Sequence, residues 1–415
     1  MMKRINKFLI LNYSLLICTL CLHAQGLWTQ KASLPDSARL AGVGFTIGNY
    51  GYLGLGINYN GTRSFHDFWQ FNPSNNTWTR KADFPGLARY TPGFFVIGHK
   101  AFVVSGLDSN DNAVTECWVY DATINKWTQK NNFPGVGREA PVGFSIGNKG
   151  FLGTGIDEST FKCYKDIWEY DTTTDSWTKK ANFGGLARGG ASAYEVANKG
   201  YICFGFDTTA SVTLNDIWEY DTNGDKWTQK TSCPGVALTA ASGFVIGSNV
   251  YVGTGEDSSL YKSYRAFWKY NTTTDVWTKE ADLPGAERAD AYSFAIADSG
   301  YLGLGGYDSS TTYAAYKDFY RFYPDTLTGF TEISTPSNVM KVFPNPSNGD
   351  FTLEFTSIKG KSLVEVYNII GEKVYSQFFT SGSLLKMGLG NQPSGTYIIK
   401  LTNSNSIFYN HIIIN

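Results

Sequence analysis

The chain has 415 residues, a net charge of −1 and a pI near 6.4. Because it carries no excess of positive charge, a surface that binds nucleic acid or an anionic membrane is disfavoured. Aromatic residues make up 16% of the chain and charged residues only 17%, and there are 44 glycines. This composition is typical of a strand-rich protein with many tight turns.

The N-terminus predicts an export signal. Three basic residues precede an apolar run from Phe8 to Leu22, and the small residue Ala24 follows at a plausible cleavage point. The run is too short and too close to the end for a convincing membrane span, so a signal peptide over residues 1–24 is favoured over an N-terminal anchor. No later stretch is long and apolar enough to span a bilayer, so we expect the mature protein to have no membrane span.

A unit of about fifty residues then recurs along residues 25–323: "DIWEYDTTTDSWTKK" at 166–180 returns as "DIWEYDTNGDKWTQK" at 216–230. Two columns hold all the tryptophans. The first column is Trp28, Trp78, Trp127, Trp177, Trp227 and Trp277. The second is Trp69, Trp118, Trp168, Trp218 and Trp268, with Tyr320 in the sixth place. A glycine column runs through Gly56, Gly106, Gly155, Gly205, Gly255 and Gly305. An arginine column runs through Arg39, Arg89, Arg138, Arg188 and Arg288, with Leu238 in the fifth place.

Each unit contains four short strand patterns separated by turn signals, which is the pattern of a propeller blade. A single twisted sheet cannot bury either face, so such blades must stack around an axis. The sixth unit has no second tryptophan of its own, and Trp28 lies in phase with that column. We therefore predict an all-β, six-bladed propeller whose last blade is closed by the N-terminal strand 27–35. The alternative outer strand is the "GFTEIS" segment at 329–334.

The arginine column, the glycine of the second strand, the D-x-W-x-Y motif and the later W-T pair resemble kelch repeats. The resemblance covers roughly residues 26–323, and Leu238 departs from it. It implies a rigid scaffold whose funnel face carries the function. It also implies an enzymatic alternative, because six-bladed kelch proteins include sialic-acid mutarotases that use acidic and basic funnel residues.

The funnel face supplies the candidate site residues. Five guanidinium groups around a central mouth could bind a carboxylate or a sialic acid, or each arginine could tie its loop to carbonyls of a neighbouring blade. The candidate binding residues are Arg39, Arg89, Arg138, Arg188, Arg288, Glu139, Glu195, Tyr59, Phe161, Tyr261 and Tyr313. The aromatic members occupy variable loops, where they could stack on sugars, cover a protein partner or pack the loops down.

Three functions follow from this reading. The preferred one is a non-enzymatic binding propeller that recognises a glycan or a protein. The alternative is a mutarotase-like sugar epimerase, for which Arg138, Arg188, Glu139 and Glu195 are the candidates for proton transfer. The third is a structural scaffold within a surface apparatus.

The repeats offer few groups for other chemistry. His66 and His99 are the only histidines among them, and no nucleotide-binding or nucleophile motif occurs. No metal, cofactor or catalytic residue is therefore predicted. Export permits disulfides, but the irregular spacing of the cysteines predicts no framework, and any pairing among them stays open. These cysteines are Cys117, Cys163, Cys203 and Cys233.

Periodicity stops after Tyr323, and a polar linker is predicted at 324–341. Residues 342–415 alternate as short strands and predict a small antiparallel, Ig-like sandwich. The blocks "VFPNPSNGDF", "VEVYNIIGEKV" and "QPSGTYIIKL" resemble, in order, the type A C-terminal sorting domain of the type IX secretion system. That resemblance implies the secretion machinery as a partner, passage through the outer membrane, and release or surface attachment in a Bacteroidetes-type Gram-negative bacterium. The alternative is an accessory binding sandwich.

Overall fold

The computed structural model describes residues 26–58, 62–308, 313–324, 340–355, 362–368, 372–379, 384–403 and 406–415. The predicted signal peptide, most of the predicted linker and the alternative strand at 329–334 lie outside these residues. The chain divides into two compact units, one up to residue 326 and one from residue 327.

The first unit contains six four-stranded antiparallel sheets, which we call blades 1 to 6. Blade 1 consists of Val43–Ile47, Tyr50–Gly54, Phe68–Asn72 and Thr77–Arg80. Blade 2 consists of Gly93–Ile97, Lys100–Val104, Cys117–Asp121 and Lys126–Lys130. Blade 3 consists of Val142–Ile146, Lys149–Gly153, Ile167–Asp171 and Ser176–Lys179.

The other three blades follow the same order from the inside outwards. Blade 4 consists of Ser192–Val196, Lys199–Cys203, Ile217–Asp221 and Lys226–Gln229. Blade 5 consists of Ser242–Ile246, Asn249–Gly253, Phe267–Asn271 and Val276–Glu280. Blade 6 consists of Tyr292–Ile296, Ser299–Gly303, Phe319–Tyr323 and, as its outermost strand, Leu27–Lys31.

The first strand of every blade contacts the first strands of both neighbouring blades, so the six blades form a closed ring. Two faces result. The loop face carries the connections between second and third strands and between successive blades, and the turn face carries the tight turns. Five two-stranded ribbons lie in the loop-face connections: Arg89–Tyr90 with Leu107–Asp108, Ile156–Asp157 with Lys162–Cys163, Phe206–Asp207 with Val212–Thr213, Glu256–Asp257 with Lys262–Ser263, and Gly306–Asp308 with Tyr313–Ala315.

Aromatic side chains pack between neighbouring blades. The Trp177 ring of blade 3 lies 5.4 Å from Phe133 and 4.8 Å from Tyr170, and its indole N–H donates to the carbonyl of Asn131 at the end of blade 2. Trp127 repeats this contact, donating to Ala82 at 2.9 Å. Each such pair joins two blades through both apolar contact and a hydrogen bond.

The ends of the propeller chain meet in one sheet. Leu27–Lys31 pairs antiparallel with Phe319–Tyr323, and Trp28 is buried between blades 5 and 6. The Trp28 indole donates to the carbonyl of Ala281 at 2.9 Å, which repeats the contact made by Trp78, Trp127, Trp177 and Trp277. The indole of Trp227 has no hydrogen-bond partner among the described residues. The last blade therefore takes its outer strand from the beginning of the chain.

The second unit is a small sandwich. Its three-stranded sheet contains Met340–Phe343, Asp350–Phe355 and Leu384–Gly388. Its four-stranded sheet contains Lys373–Phe379, Ser362–Asn368, Gly395–Asn403 and Ser406–Ile414. A separate apolar core lies between them. The predicted fold class, an all-β propeller of six blades followed by a small antiparallel sandwich, is confirmed.

Candidate functional site

The six innermost strands surround a channel of about 490 Å³. Its lining is mostly glycine, alanine, serine, proline and valine, together with a phenylalanine or tyrosine from each innermost strand. The hydroxyls of Ser145, Ser192 and Ser242 donate to carbonyls of adjacent blades at 2.6–2.7 Å. These serine hydroxyls are thus bonded within the protein, and the acidic side chains among the described lining residues are Glu195 and Asp290.

A complete ring of backbone hydrogen bonds surrounds the loop-face end. Each glycine of the glycine column donates its N–H to the carbonyl of the arginine-column residue of the next blade, from Gly56 to Arg89 at 2.9 Å round to Gly305 to Arg39 at 2.9 Å. These glycines have φ between 82° and 103°, a region that side-chain-bearing residues rarely adopt. Glycine recurs in this column because the hydrogen bond to the next blade requires a positive φ at that position.

A second ring of residues lines the channel at this end. Its six members all have positive φ and are Ala41, Thr91, Ala140, Gly190, Ala240 and Asp290. Backbone hydrogen bonds of 2.6–3.0 Å join them from Gly190 through Ala240, Asp290, Ala41 and Thr91 to Ala140. We call this the inner ring. Asp290 is its one charged member.

The arginine column does not face the channel. All five arginines are fully buried, and each forms an ion pair with an acidic residue of its own blade. The pairs are Arg39–Asp67, Arg89–Glu116, Arg138–Asp166, Arg188–Asp216 and Arg288–Asp318.

Arg188 illustrates the arrangement. Its Nη1 and Nη2 donate to the two carboxylate oxygens of Asp216 at 2.6 and 2.9 Å, and Nη1 also donates to the carbonyl of Phe204 at 2.8 Å. Burial acts to raise the pKa of Asp216, but the hydrogen bond and charge of Arg188 outweigh it and hold that pKa below its usual value. A guanidinium so enclosed cannot reach a ligand.

This corrects the expectation that Arg39, Arg89, Arg138, Arg188 and Arg288 form a binding set on the funnel face. The alternative interpretation, that each arginine holds its loop, fits the geometry with one change. The side-chain contacts of Arg188 stay within its own blade, and only its backbone carbonyl joins the neighbour, accepting from Gly155 at 2.7 Å.

Blade 5 shows why the pairs are structural. Leu238 replaces the arginine there, and Ala266 replaces the acid that would pair with it. Leu238 is buried in an apolar cluster with Cys203 and Cys233. Both charges are lost together, as expected if either charge alone were unfavourable in a buried site. This paired change within one chain was the sequence signal for the ion pairs.

Acidic side chains gather at the loop-face mouth of the channel. We call this group the acidic mouth: Asp111, Glu139, Glu158, Glu256 and Asp290. Burial, followed by the hydrogen bond and negative charge of Glu158, raises the pKa of Glu139 to about 8. The charge of Asp290, on the opposite blade, also contributes.

Asp290 lines the channel, and its carboxyl makes no hydrogen bond to any residue in the described part of the chain. Burial raises the pKa of Asp290 to about 7, and the negative charge of Glu256 adds to this. Sequence reasoning selected Glu139 but missed Asp290. The available signal was a single charge in a column otherwise made of alanine, glycine and threonine.

Glu195 lies far from this group. It stands near the turn-face end of its strand, where its carboxylate accepts a hydrogen bond from the N–H of Asn198 at 2.7 Å. The structure therefore does not assemble the set Arg138, Arg188, Glu139 and Glu195 predicted for proton transfer, because two members are enclosed and the two glutamates occupy opposite ends of the channel.

The predicted aromatic residues have different placements. Phe161 and Tyr261 are 66% and 70% exposed on the loop face of blades 3 and 5. Both have positive φ, of 53° and 48°, which is uncommon for bulky side chains. Tyr59 lies outside the described residues. Tyr313 belongs to the strand Tyr313–Ala315, and its side chain is outside the description.

Among the described residues, no group of three or more histidine, cysteine, aspartate or glutamate side chains is arranged to hold a metal ion. Cys117, Cys163, Cys203 and Cys233 are buried free thiols. The described part of the chain has no helix with the length and hydrophobicity needed to cross a membrane.

Comparison with known structures and proteins bears on both units. The structure of YjhT aligns with 70% of this chain and 96% of its own, with a TM-score of 0.59 and 14% identity, a likeness that concerns the fold. A 75-residue stretch, 18% of this chain, is 33% identical to Ulvan lyase NLR42 of Nonlabens ulvanivorans. That stretch spans 14% of the ulvan lyase, so it covers a small part of that protein.

Residues 341–415 match the family of the secretion system C-terminal sorting domain. The predicted sorting domain is thereby confirmed, and with it an interaction with the type IX secretion machinery. The protein is a cargo of that secretion route, and it is secreted or held at the outer-membrane surface of a Gram-negative bacterium.

Proposed function

We propose that the protein is an exported, non-enzymatic binding propeller that recognises a glycan or a protein through its loop face. The observation that carries this proposal is the exposure of Phe161 and Tyr261 on the face where the channel opens. Large aromatic side chains held outwards at strained backbone positions supply contact area that a loop packed only for stability would bury.

The chemistry of the mouth supports recognition as well. Protonated carboxyls donate and accept hydrogen bonds, so Glu139 and Asp290 can bond the hydroxyl groups of a neutral sugar or the polar groups of a peptide. Among the described residues that line the channel there is no lysine or arginine. A carboxylated sugar would therefore find no cation there to compensate its charge, which disfavours a sialic acid as the ligand.

The test is a glycan array and a panel of surface proteins probed with the purified protein and two variants. Phe161→Ala/Tyr261→Ala should reduce binding at least about tenfold, since aromatic anchors dominate such interfaces. The matched control is Ile124→Ala, which removes a side chain that is 66% exposed on the turn face. The proposal fails if nothing binds, or if both variants weaken binding equally.

A second candidate function is acid–base catalysis on a sugar, favoured by the pKa values of about 8 for Glu139 and about 7 for Asp290. Groups that titrate near neutral pH can both give and take protons at an anomeric centre. NMR measurement of anomerisation would compare a neutral aldose with N-acetylneuraminate. Acceleration that is lost in Glu139→Gln and Asp290→Asn supports catalysis; rates equal to the uncatalysed ones exclude it for these substrates.

A further inference from the structure

Exposed apolar side chains form an arc on the loop face beside the acidic mouth. Leu87, Val136, Leu186 and Val236 occupy the same position in the loops leading into blades 2 to 5, and they are between 42% and 53% exposed. Their outward orientation is fixed where an arginine is present: Arg188 Nε, for example, donates to the carbonyl of Leu186 at 3.0 Å.

The arc continues in the loops between second and third strands. Four further apolar side chains are exposed there on blades 3 to 5: Phe161, Val212, Leu260 and Tyr261. We call these eight side chains the apolar arc. The equivalent loop positions leading into blades 1 and 6 hold Ser37 and Ala286, so at this described position the large apolar side chains belong to blades 2 to 5. Clustered exposed apolar residues typically mark a protein-binding surface.

The electrostatics of the adjoining mouth indicate the chemistry of the partner. Asp290 presents a half-buried carboxyl that lines the channel and has no hydrogen-bond partner among the described residues. Glu139 and Glu158 add two more carboxyls at the same mouth. A positively charged group is the complement that this combination lacks.

We propose that the loop face docks a protein segment in which a lysine or arginine side chain enters the acidic mouth while flanking apolar side chains cover the apolar arc. The inference rests on the proposed binding function and names the class of its partner. Aromatic and aliphatic contacts around a central charged anchor are the usual composition of a strong protein–protein contact.

Binding of this kind is coupled to proton release. The titratable groups around the two carboxyls of highest pKa are Asp111, Glu158 and Glu256, together with Tyr90 and Tyr292. With pKa values of about 8 for Glu139 and about 7 for Asp290, near pH 7 Glu139 is mostly protonated and Asp290 is about half protonated. A cation lowers the pKa of both carboxyls, so binding releases protons, and affinity rises with pH until the carboxyls are ionised without the ligand.

The experiment is selection of a displayed random-peptide library on the full chain, on Asp290→Asn/Glu139→Gln and on Glu195→Gln. The last is the matched control, because it neutralises a carboxylate at the other end of the same channel. We expect the unaltered protein and the control to enrich peptides with a basic residue flanked by apolar residues, and the double variant not to. Titration calorimetry of an enriched peptide in two buffers should show proton release and an affinity gain of about tenfold from pH 6 to pH 7.

The outcomes separate this inference from the proposed function. Enriched peptides without a basic residue, or affinity that is independent of pH in the unaltered protein, overturn the cationic anchor even if the variants misfold. Loss of glycan binding in Phe161→Ala/Tyr261→Ala, with no peptide enriched, overturns the protein partner and leaves the binding function standing. Failure of glycans, proteins and peptides alike removes both.

Discussion

At the scale of single residues, the arginine column is a set of buried ion pairs. The contribution of each pair to stability depends on both partners. Arg188 and Asp216 form two parallel hydrogen bonds, and the Trp218 indole donates to the same carboxylate at 2.7 Å. In blade 5 the pair is replaced by Leu238 and Ala266, and the blade keeps the same four-stranded order. The charges are therefore needed together or not at all.

This comparison predicts strong coupling between the two positions. Arg188→Leu or Asp216→Ala alone should lower the free energy of unfolding by about 3–5 kcal/mol, because each leaves an unpaired buried charge. The double variant, which copies blade 5, should lose less than either single variant. Denaturant unfolding followed by tryptophan fluorescence measures all three. Additive losses would mean that the two side chains act independently.

The carboxyls of the acidic mouth predict a pH dependence of stability. Their pKa values, about 8 for Glu139 and about 7 for Asp290, lie above those of the unfolded chain. Between about pH 4 and pH 8 the folded state therefore holds more protons than the unfolded state, so this contribution to stability is present at low pH and is lost as pH rises.

An amide does not titrate, so replacing either carboxyl with its amide removes the loss of stability that ionisation causes as pH rises. Glu139→Gln and Asp290→Asn should each raise the free energy of unfolding by about 1–3 kcal/mol at pH 8 and have little effect at pH 4. Urea titrations at the two pH values provide the measurement, with Glu195→Gln as the control that should follow the unaltered protein. Equal effects at both pH values would show that the carboxyls titrate normally.

At the scale of elements, the blades are joined by backbone geometry that only glycine adopts easily. Gly155 has φ of 92° and donates its N–H to Arg188 of the next blade at 2.7 Å. A Cβ atom added at Gly155 would lie 2.8 Å from the carbonyl oxygen of Glu139. A side chain at Gly155 would therefore bring both backbone strain and a steric clash to the residue whose N–H joins two blades.

We therefore expect Gly155→Ala to lower the free energy of unfolding by about 2–4 kcal/mol. Gly224→Ala is the control, because its added Cβ would come no closer than 3.7 Å to another atom, and it should change stability by less than about 0.5 kcal/mol. Thermal unfolding of both variants decides the matter. Similar unfolding midpoints for the two variants would show that the backbone at the glycine-column position tolerates a side chain.

At the scale of the whole molecule, the ring is closed by pairing the first strand of the propeller with the last. Leu27 pairs with Tyr323, so the two ends of the propeller chain are adjacent in one sheet. Removing residues 26–35 would expose the edge of Phe319–Tyr323 and the apolar surface that Trp28 covers. An open ring with an uncovered edge strand is prone to unfold and aggregate.

Deletion of residues 26–35 should lower the free energy of unfolding by about 4 kcal/mol or more, as loss of a buried tryptophan alone does. A permuted chain in which this segment follows Tyr323 through a four-residue turn should recover it, because every other blade connects its outer strands in this way. Limited proteolysis and denaturant unfolding compare the two forms. A stable deleted form would mean that closure is dispensable.

The sorting domain has a core of its own, so its loss should affect transport rather than folding. Removing residues 341–415 should keep the protein inside the cell envelope while the unfolding midpoint of the propeller changes by less than about 2 °C. Fractionation and thermal unfolding measure the two effects separately. Export of the shortened chain would show that another signal suffices.

The sequence by itself determined the blade, the number of blades and the sorting domain. These features depend on local order: strand patterns, turn residues and tryptophans repeat within each unit, and Trp28 lies in phase with its column. Propeller units must also stack to bury their faces, so a sixfold repeat leaves little choice of architecture.

Tertiary structure alone decided which charges a ligand can reach. Arg138 finds Asp166 at a separation of 28 residues, and this contact turns a predicted binding group into an enclosed structural one. The negative charge of Asp290 acts on Glu139 although the two residues belong to opposite blades, an arrangement that no pattern within a unit specifies. Burial and pKa are set by neighbours distant in the chain, so the repeat predicts where an arginine or an acid recurs but not whether it faces water, a partner or another charge.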